Sequence, residues 1–140
     1  MRILIVEDDA MNAKLFDVIL TRKAGFQVEI TEDPERVRVR AREGSVDVII
    51  LDVSLSNSTW HGVPVDGLEI CRRLKRDPET AAVPVLLATA HAMKGAREKF
   101  LSDSGADDYV SKPIVSADEL IDTIRALARK GVHGTASPPR

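Results

Sequence analysis

Cysteine is almost missing: Cys71 stands alone among 140 residues, which excludes an internal disulfide framework and suits a reducing compartment. An excess of charge is missing too. Lysine and arginine total 20 against 22 aspartate and glutamate, so no global field draws the chain to nucleic acid or to an anionic membrane. Long apolar runs are also lacking. The run Ile3-Leu4-Ile5-Val6 that follows Met1-Arg2 is far too short for a signal-peptide core or a membrane span. The expectation is a cytoplasmic protein with no nucleic-acid and no membrane partner. Without an export signal, the sequon Asn57-Ser58-Thr59 has no chemical consequence.

What is present is a repeat of short β-branched runs at Ile3 to Val6, Val28 to Ile30, Val46 to Leu51, Val85 to Ala88 and Tyr109 to Val110. Stretches long enough for helices separate them. Continuous apolar runs indicate strands buried on both faces, and strand–helix alternation indicates a parallel sheet. Helix starts are marked by Asp33-Pro34, Asp66-x-x-Glu69 and Ser116-x-x-Glu119, a cap before a first-turn proline and two capping-box spacings. Leu15, Phe16, Ile19 and Leu20 form one apolar stripe, and Leu120, Ile121, Ile124 and Leu127 another; both are expected in the core. The segment Arg36-Val37-Arg38-Val39-Arg40-Ala41-Arg42 alternates with the period of a strand. Two parallel strands need a crossover, however, so topology assigns it to a helix with a solvated charged face. After Lys130, glycine, serine and proline dominate, and the expectation is one domain over 1–130 with a flexible tail over 131–140.

Acidic residues stand at the ends of two runs, Glu7 and Asp8 after the first and Asp52 after the third, with Thr89 and Lys112 at the ends of later ones. In open parallel α/β sheets ligands sit outside the carboxyl ends of the strands. Two unit charges about 4 Å apart repel by roughly 4 kcal/mol at an effective dielectric of 20, so converging carboxylates need compensation. Lys112 offsets one of them. A hard cation with oxygen ligands, Mg²⁺ or Mn²⁺, meets the remainder. Asp9 is read separately, as a first-turn acid of the following helix. A carboxylate is a competent nucleophile toward phosphorus, which makes Asp52 the candidate phosphoacceptor. Lys112 and the Thr89 hydroxyl would contact the phosphoryl oxygens.

Ile-Leu-Ile-Val-Glu-Asp-Asp at 3–9, Ile-Leu-Asp at 50–52, Ala-Thr-Ala at 88–90 and Asp-Tyr-Val-Ser-Lys-Pro at 108–113 together resemble the receiver domain of two-component response regulators. The resemblance implies a flavodoxin-like, doubly wound five-stranded parallel sheet in the order 2-1-3-4-5 with five helices. It implies Mg²⁺-dependent phosphorylation of Asp52 by a histidine kinase or phosphotransfer protein. It also implies that Glu7, Asp8 and the Ser54 backbone carbonyl join the metal site, and that Lys112-Pro113 is a cis peptide. Thr89 and Tyr109 would be the switch pair, altering the face formed by the fourth helix, fifth strand and fifth helix, where a downstream protein docks. Ser54 and His91 flank the site and are candidates for influencing hydrolysis of the acyl phosphate.

The chain departs from the receiver pattern after Asp52. Leu55-Ser56 stands where receivers usually carry Met-Pro or Leu-Pro, and the loop then continues to Val65, an insertion of about seven residues beyond the usual connection. Trp60, the single tryptophan, and His61 are candidates for a lid or contact surface; a Trp60 folded onto its own helix is the competing picture. Cys71 beside Leu74 is expected to be a small buried hydrophobe. The leading reading is a stand-alone phospho-accepting signalling domain, with no enzymatic role beyond its own phosphorylation and dephosphorylation, that acts through protein–protein affinity; self-association as a homodimer stays open. The rivals are a metal-dependent aspartyl-phosphate phosphohydrolase and a degenerate interaction module that is never phosphorylated.

Overall fold

The computed structural model describes residues 1–56, 58–90 and 95–136, with side chains as far as Lys130. The chain runs β1 (Arg2–Val6), α1 (Ala10–Val18), β2 (Gln27–Thr31), α2 (Pro34–Glu43), β3 (Val48–Asp52), β4 (Thr59–Trp60), β5 (Val63–Pro64), α3 (Gly67–Arg76), β6 (Val85–Thr89), α4 (Ala96–Ser104), β7 (Asp108–Ser111) and α5 (Ala117–Ala136). Five strands pair in parallel in the order β2-β1-β3-β6-β7. Setting aside the small antiparallel pair β4-β5, this is the order 2-1-3-4-5 that the family resemblance implies.

Alternation along each strand splits the core into two layers. Leu4, Val6, Ile49, Leu51, Val85 and Leu87 face the helical layer that contributes Val37, Ile70 and Leu74. Ile3, Ile5, Val48, Ile50, Leu86 and Ala88 face Phe16, Leu20, Leu120, Ile124 and Leu127 on the other side. Both faces of the central strands are therefore covered, which explains their unbroken apolar runs. Each buried Leu or Ile contributes about 2 kcal/mol, so the layers carry the stability and leave the sheet's edges available for less favourable chemistry.

Capping follows the sequence closely. Asp9 accepts from the N–H groups of Met11 and Asn12, and Asp33 from that of Glu35, ahead of Pro34. Asp66 and Ser116 accept from the N–H groups of Glu69 and Glu119. The arginine-rich segment is α2, with Val37 and Ala41, four residues apart, buried on one face. The four arginines of the segment pair outward: Arg36 and Arg40 with Glu29, Arg38 with Glu35 and Arg42 with Glu79.

One expectation needs correction. Leu15 is 41% exposed while Phe16 is 2%: the buried residues of α1 are Ala13 and Phe16, and Leu20 follows in the π-helical turn Ile19–Lys23, so Leu15 falls off that face. The helix α5 runs to Ala136. Residues 137–140 lie outside the described part.

Candidate functional site

Register assembles the site. Val6 lies opposite Leu51, so Glu7 and Asp52 are the next residues outward on adjacent strands. Asp52 in turn faces Ala88, and Thr89 faces Ser111, which brings Thr89 and Lys112 to the same carboxyl edge. Lys112 Nζ donates to Glu7 Oε1 at 3.0 Å and to Asp52 Oδ1 at 3.2 Å. Ligand atoms of Glu7, Asp8 and Asp52 all lie within 4.8 Å of one another. Glu7, Asp52 and Thr89 are buried. The peptide between Lys112 and Pro113 is cis, and the Lys112 N–H bonds the Thr89 carbonyl at 2.7 Å, which ties the lysine's backbone to the end of β6.

The charges do not balance. Burial pushes the Glu7 carboxyl up to about 7, and a hydrogen bond with Asp52 pushes the same way against the opposing pull of Lys112 and the Asp9 N–H. Burial works against the charge on Lys112, but its contacts with Glu7 and Asp52 outweigh this and hold its pKa above the ordinary lysine value. Among the described residues Lys112 pairs with both Glu7 and Asp52, and a proton on Glu7 partly relieves the crowding of these carboxylates near neutrality. A donor set of carboxylate oxygens with surplus negative charge fits a hard divalent cation.

The supporting backbone is tight. The N–H of Gly67 bonds the Val53 carbonyl at 3.0 Å, and a Cβ at Gly67 would fall 1.9 Å from the Asp52 carbonyl oxygen. Only glycine lets α3 begin this close to the acidic strand end. The Asp66-Gly67 pair was legible as a helix start, but the close approach was not. Ser54 donates its N–H to Asp52 Oδ1 at 3.2 Å, which places its backbone beside the carboxylates. Tyr109 is half-buried, its ring 6.0 Å from that of Phe100 on α4. His91 lies outside the described residues.

The insertion is a hairpin. His61 and Gly62 both take positive φ, 55° and 78°, between the paired residues Trp60 and Val63, as a two-residue type I′ turn requires. The sequence leaves Trp60 open between a lid or contact residue and a residue folded onto the body of the domain, and its side chain lies in the core. It is 5% exposed in the core layer, its Nε1 donates to Glu35 Oε2 at 3.1 Å, and the Arg73 guanidinium sits 5.1 Å from its ring centroid. A flat aromatic with one polar edge gains more from filling the space beside α2 and α3 than from covering a charged cleft. His61 stays exposed at the turn, stacked on Trp60. Cys71 is buried, and burial pushes its thiol up to about 11, so it is an inert core residue.

Comparison with known proteins agrees with this geometry. The family model of the response regulator receiver domain matches residues 3–125. The chain is 36% identical over 124 residues to the polar-differentiation response regulator DivK of Brucella anthropi, covering 89% of this chain and 93% of DivK. It is 37% identical over 130 residues to the DNA-binding dual master transcriptional regulator RpaA of a Synechocystis species, covering 92% of this chain and 49% of RpaA. The chain thus spans about half of RpaA, and 52% of the phosphate regulon regulatory protein PhoB of Rhizobium meliloti. Among solved structures, the receiver domain of the sensor histidine kinase PA1611 from Pseudomonas aeruginosa superposes with a TM-score of 0.74 at 27% identity, over 91% of this chain and 97% of that one. The receiver domain of a DNA-binding response regulator from Colwellia psychrerythraea gives 0.72 at 26% identity, over 92% and 98%. With the acidic strand ends, the lysine and the buried threonine gathered at one sheet edge, the chain belongs to the response regulator receiver domain family.

Proposed function

We propose that Asp52 accepts a phosphoryl group from a phosphohistidine of a histidine kinase or phosphotransfer protein, and that the phosphorylated chain signals through altered protein–protein affinity. The observation that carries this reading is the meeting of Glu7, Asp8, Asp52 and Lys112. A carboxylate oxygen of Asp52 forms a bond to phosphorus as the phosphorus–nitrogen bond to the donor imidazole breaks, and the departing ring takes up a proton. Lys112 stabilises the negative oxygens of the group in transit, and the Thr89 hydroxyl bonds one of them once the acyl phosphate exists. Glu7, Asp8, Asp52 and the Ser54 carbonyl would hold Mg²⁺ or Mn²⁺, whose positive charge favours bringing the phosphoryl oxygens to an acidic site. The magnesium ion in the active-site cleft of the PA1611 receiver domain supports that assignment.

Phosphorylation takes the Asp52 side chain to about two negative charges and adds strong acceptors, which draws Thr89 inward and lets Tyr109 follow. The readout is a change at the face formed by α4, β7 and α5, where a downstream protein docks. The near full-length match to DivK supports a receiver that signals to a separate protein, as a cytoplasmic switch or relay intermediate, with a second copy of the chain as one candidate partner. Among the described residues no helix is long and apolar enough to cross a membrane. No catalytic turnover of other substrates is part of this reading.

Incubation with acetyl phosphate and Mg²⁺, read by intact mass, tests the proposal. One phosphoryl group gained by the wild type and lost in Asp52→Asn is the expected result. Turnover of unrelated phosphoesters would point instead to a phosphohydrolase. A mass unchanged with both acetyl phosphate and a phosphorylated histidine donor would point to an interaction module that is never phosphorylated.

A further inference from the structure

We infer that Ser56, the first residue of the insertion to depart from the receiver pattern, is a positioning residue that holds Asp8 ready for the cation. Its N–H donates to Asp8 Oδ2 at 2.8 Å, and its hydroxyl donates to the same oxygen at 2.9 Å. Receivers usually carry proline at this place. Proline has neither an N–H nor a hydroxyl, so both donors exist because of the departure. The contact joins residues 48 apart in sequence and was not legible from it.

Two donors converging on one carboxylate oxygen fix the group's plane and direction. A ligand held oriented loses less freedom when a cation arrives, and such outer partners typically change metal affinity by about 10–100-fold. The hairpin gives Ser56 a fixed base: Ser58 Oγ donates to the Glu32 carbonyl at 2.7 Å, the Val65 N–H to the Ser58 carbonyl at 3.0 Å, and Trp60 is buried beyond. The insertion thereby acts on the site through Asp8, with its aromatic side chain serving as the anchor.

The inference rests on the phosphoacceptor reading, because it takes Asp8 as a cation ligand. Calorimetric titration of the full chain with magnesium chloride tests it in wild type, Ser56→Ala, Ser56→Thr and Ser56→Pro, with circular dichroism confirming the fold of each. Ser56→Ala keeps the N–H and should raise the Kd about tenfold. Ser56→Pro should raise it further, and Ser56→Thr, which restores the hydroxyl, should stay within about twofold of wild type. Ser56→Ala binding as tightly as wild type, or Ser56→Thr binding as weakly as Ser56→Ala, overturns the role of Ser56 while leaving the cation site intact. A wild type that takes up no Mg²⁺ overturns both this inference and the cation assignment beneath it.

Discussion

Two lysine–carboxylate clusters lie at opposite ends of the same sheet, and they are built to opposite balances. At the amino-terminal end, Asp107 accepts from Lys75 at 2.8 Å, from the Val85 N–H at 2.8 Å and from Lys130 at 3.3 Å. Two cations serve one carboxylate there. Burial alone would raise the Asp107 carboxyl, but Lys75, the Val85 N–H and Lys130 outweigh it and hold it below the usual value of 3.8. At the carboxyl-terminal end, among the described residues, one lysine serves both Glu7 and Asp52, with Asp8 close by, and Glu7 is pushed up instead. The first cluster satisfies its charges and fastens α3 and α5 to the strands. The second leaves charge unmet where a ligand would meet it, the usual trade of stability for function at a site.

If charge does not hold the carboxyl-terminal end together, close backbone packing must, and Gly67 is where that claim breaks most easily. A methyl group 1.9 Å from the Asp52 carbonyl oxygen cannot be absorbed by a flexible side chain. Gly67→Ala should destabilise by about 3 kcal/mol in urea or thermal melts, near the upper end for overpacking. A loss under about 1 kcal/mol would mean that the start of α3 yields easily and is not what positions Asp52.

The amino-terminal cluster should come next in size. Asp107→Ala leaves Lys75, whose side chain is 15% exposed, with only the Ala81 and Val83 carbonyls at 3.0 and 2.9 Å, and removes the side-chain acceptor of the Val85 N–H. Breaking a fully buried pair costs about 3–5 kcal/mol; partial exposure reduces this to roughly 2 kcal/mol. Chemical denaturation is the measurement. An unaffected midpoint would erase the distinction between the two ends.

How much of this was legible differs between the same two ends. The carboxyl-terminal site could be read in advance because strand period and parallel topology carry Glu7, Asp52, Thr89 and Lys112 to one edge whatever the side chains do afterwards. The cluster around Asp107 went unread: Lys75 ends a helix, Lys130 lies far along another, and nothing in their spacing distinguishes them from solvated charges. Trp60 was open to two readings for a related reason. A long polar insertion beside a site suggests a cover, whereas His61-Gly62 is a turn signal that only pairing between Trp60 and Val63 reveals. Ser56 and Gly67 make contacts of a few ångströms, Ser56 through its N–H and hydroxyl and Gly67 through its backbone, a scale that composition and periodicity do not reach.

The smallest expected effect separates the two ends most cleanly, because its sign reverses. Asp52→Asn removes one of the crowded carboxylates, so without metal it should stabilise the fold by about 1 kcal/mol near neutral pH, whereas the loss of Asp107 destabilises it. Glu7 titrates at about 7 when folded against an ordinary value of 4.5. The folded chain holds that proton more tightly than the unfolded one, so its contribution is fully present below 4.5 and is lost as pH rises through 7. Asp107 runs the other way: its depressed pKa contributes stability above 3.8 that is lost only as pH falls through its lower folded value. Melting temperatures of the metal-free wild type should therefore decline from about pH 5 to about pH 8. Asp52→Asn should flatten that decline, since the hydrogen bond with Asp52 is, after burial, a cause of the raised Glu7 pKa. Mg²⁺ should restore the wild type at the alkaline end and leave the variant almost unmoved. Parallel melting curves for the two proteins across this range would show that the charges at the carboxyl-terminal edge are already balanced, and that the asymmetry between the sheet's ends is one of position alone.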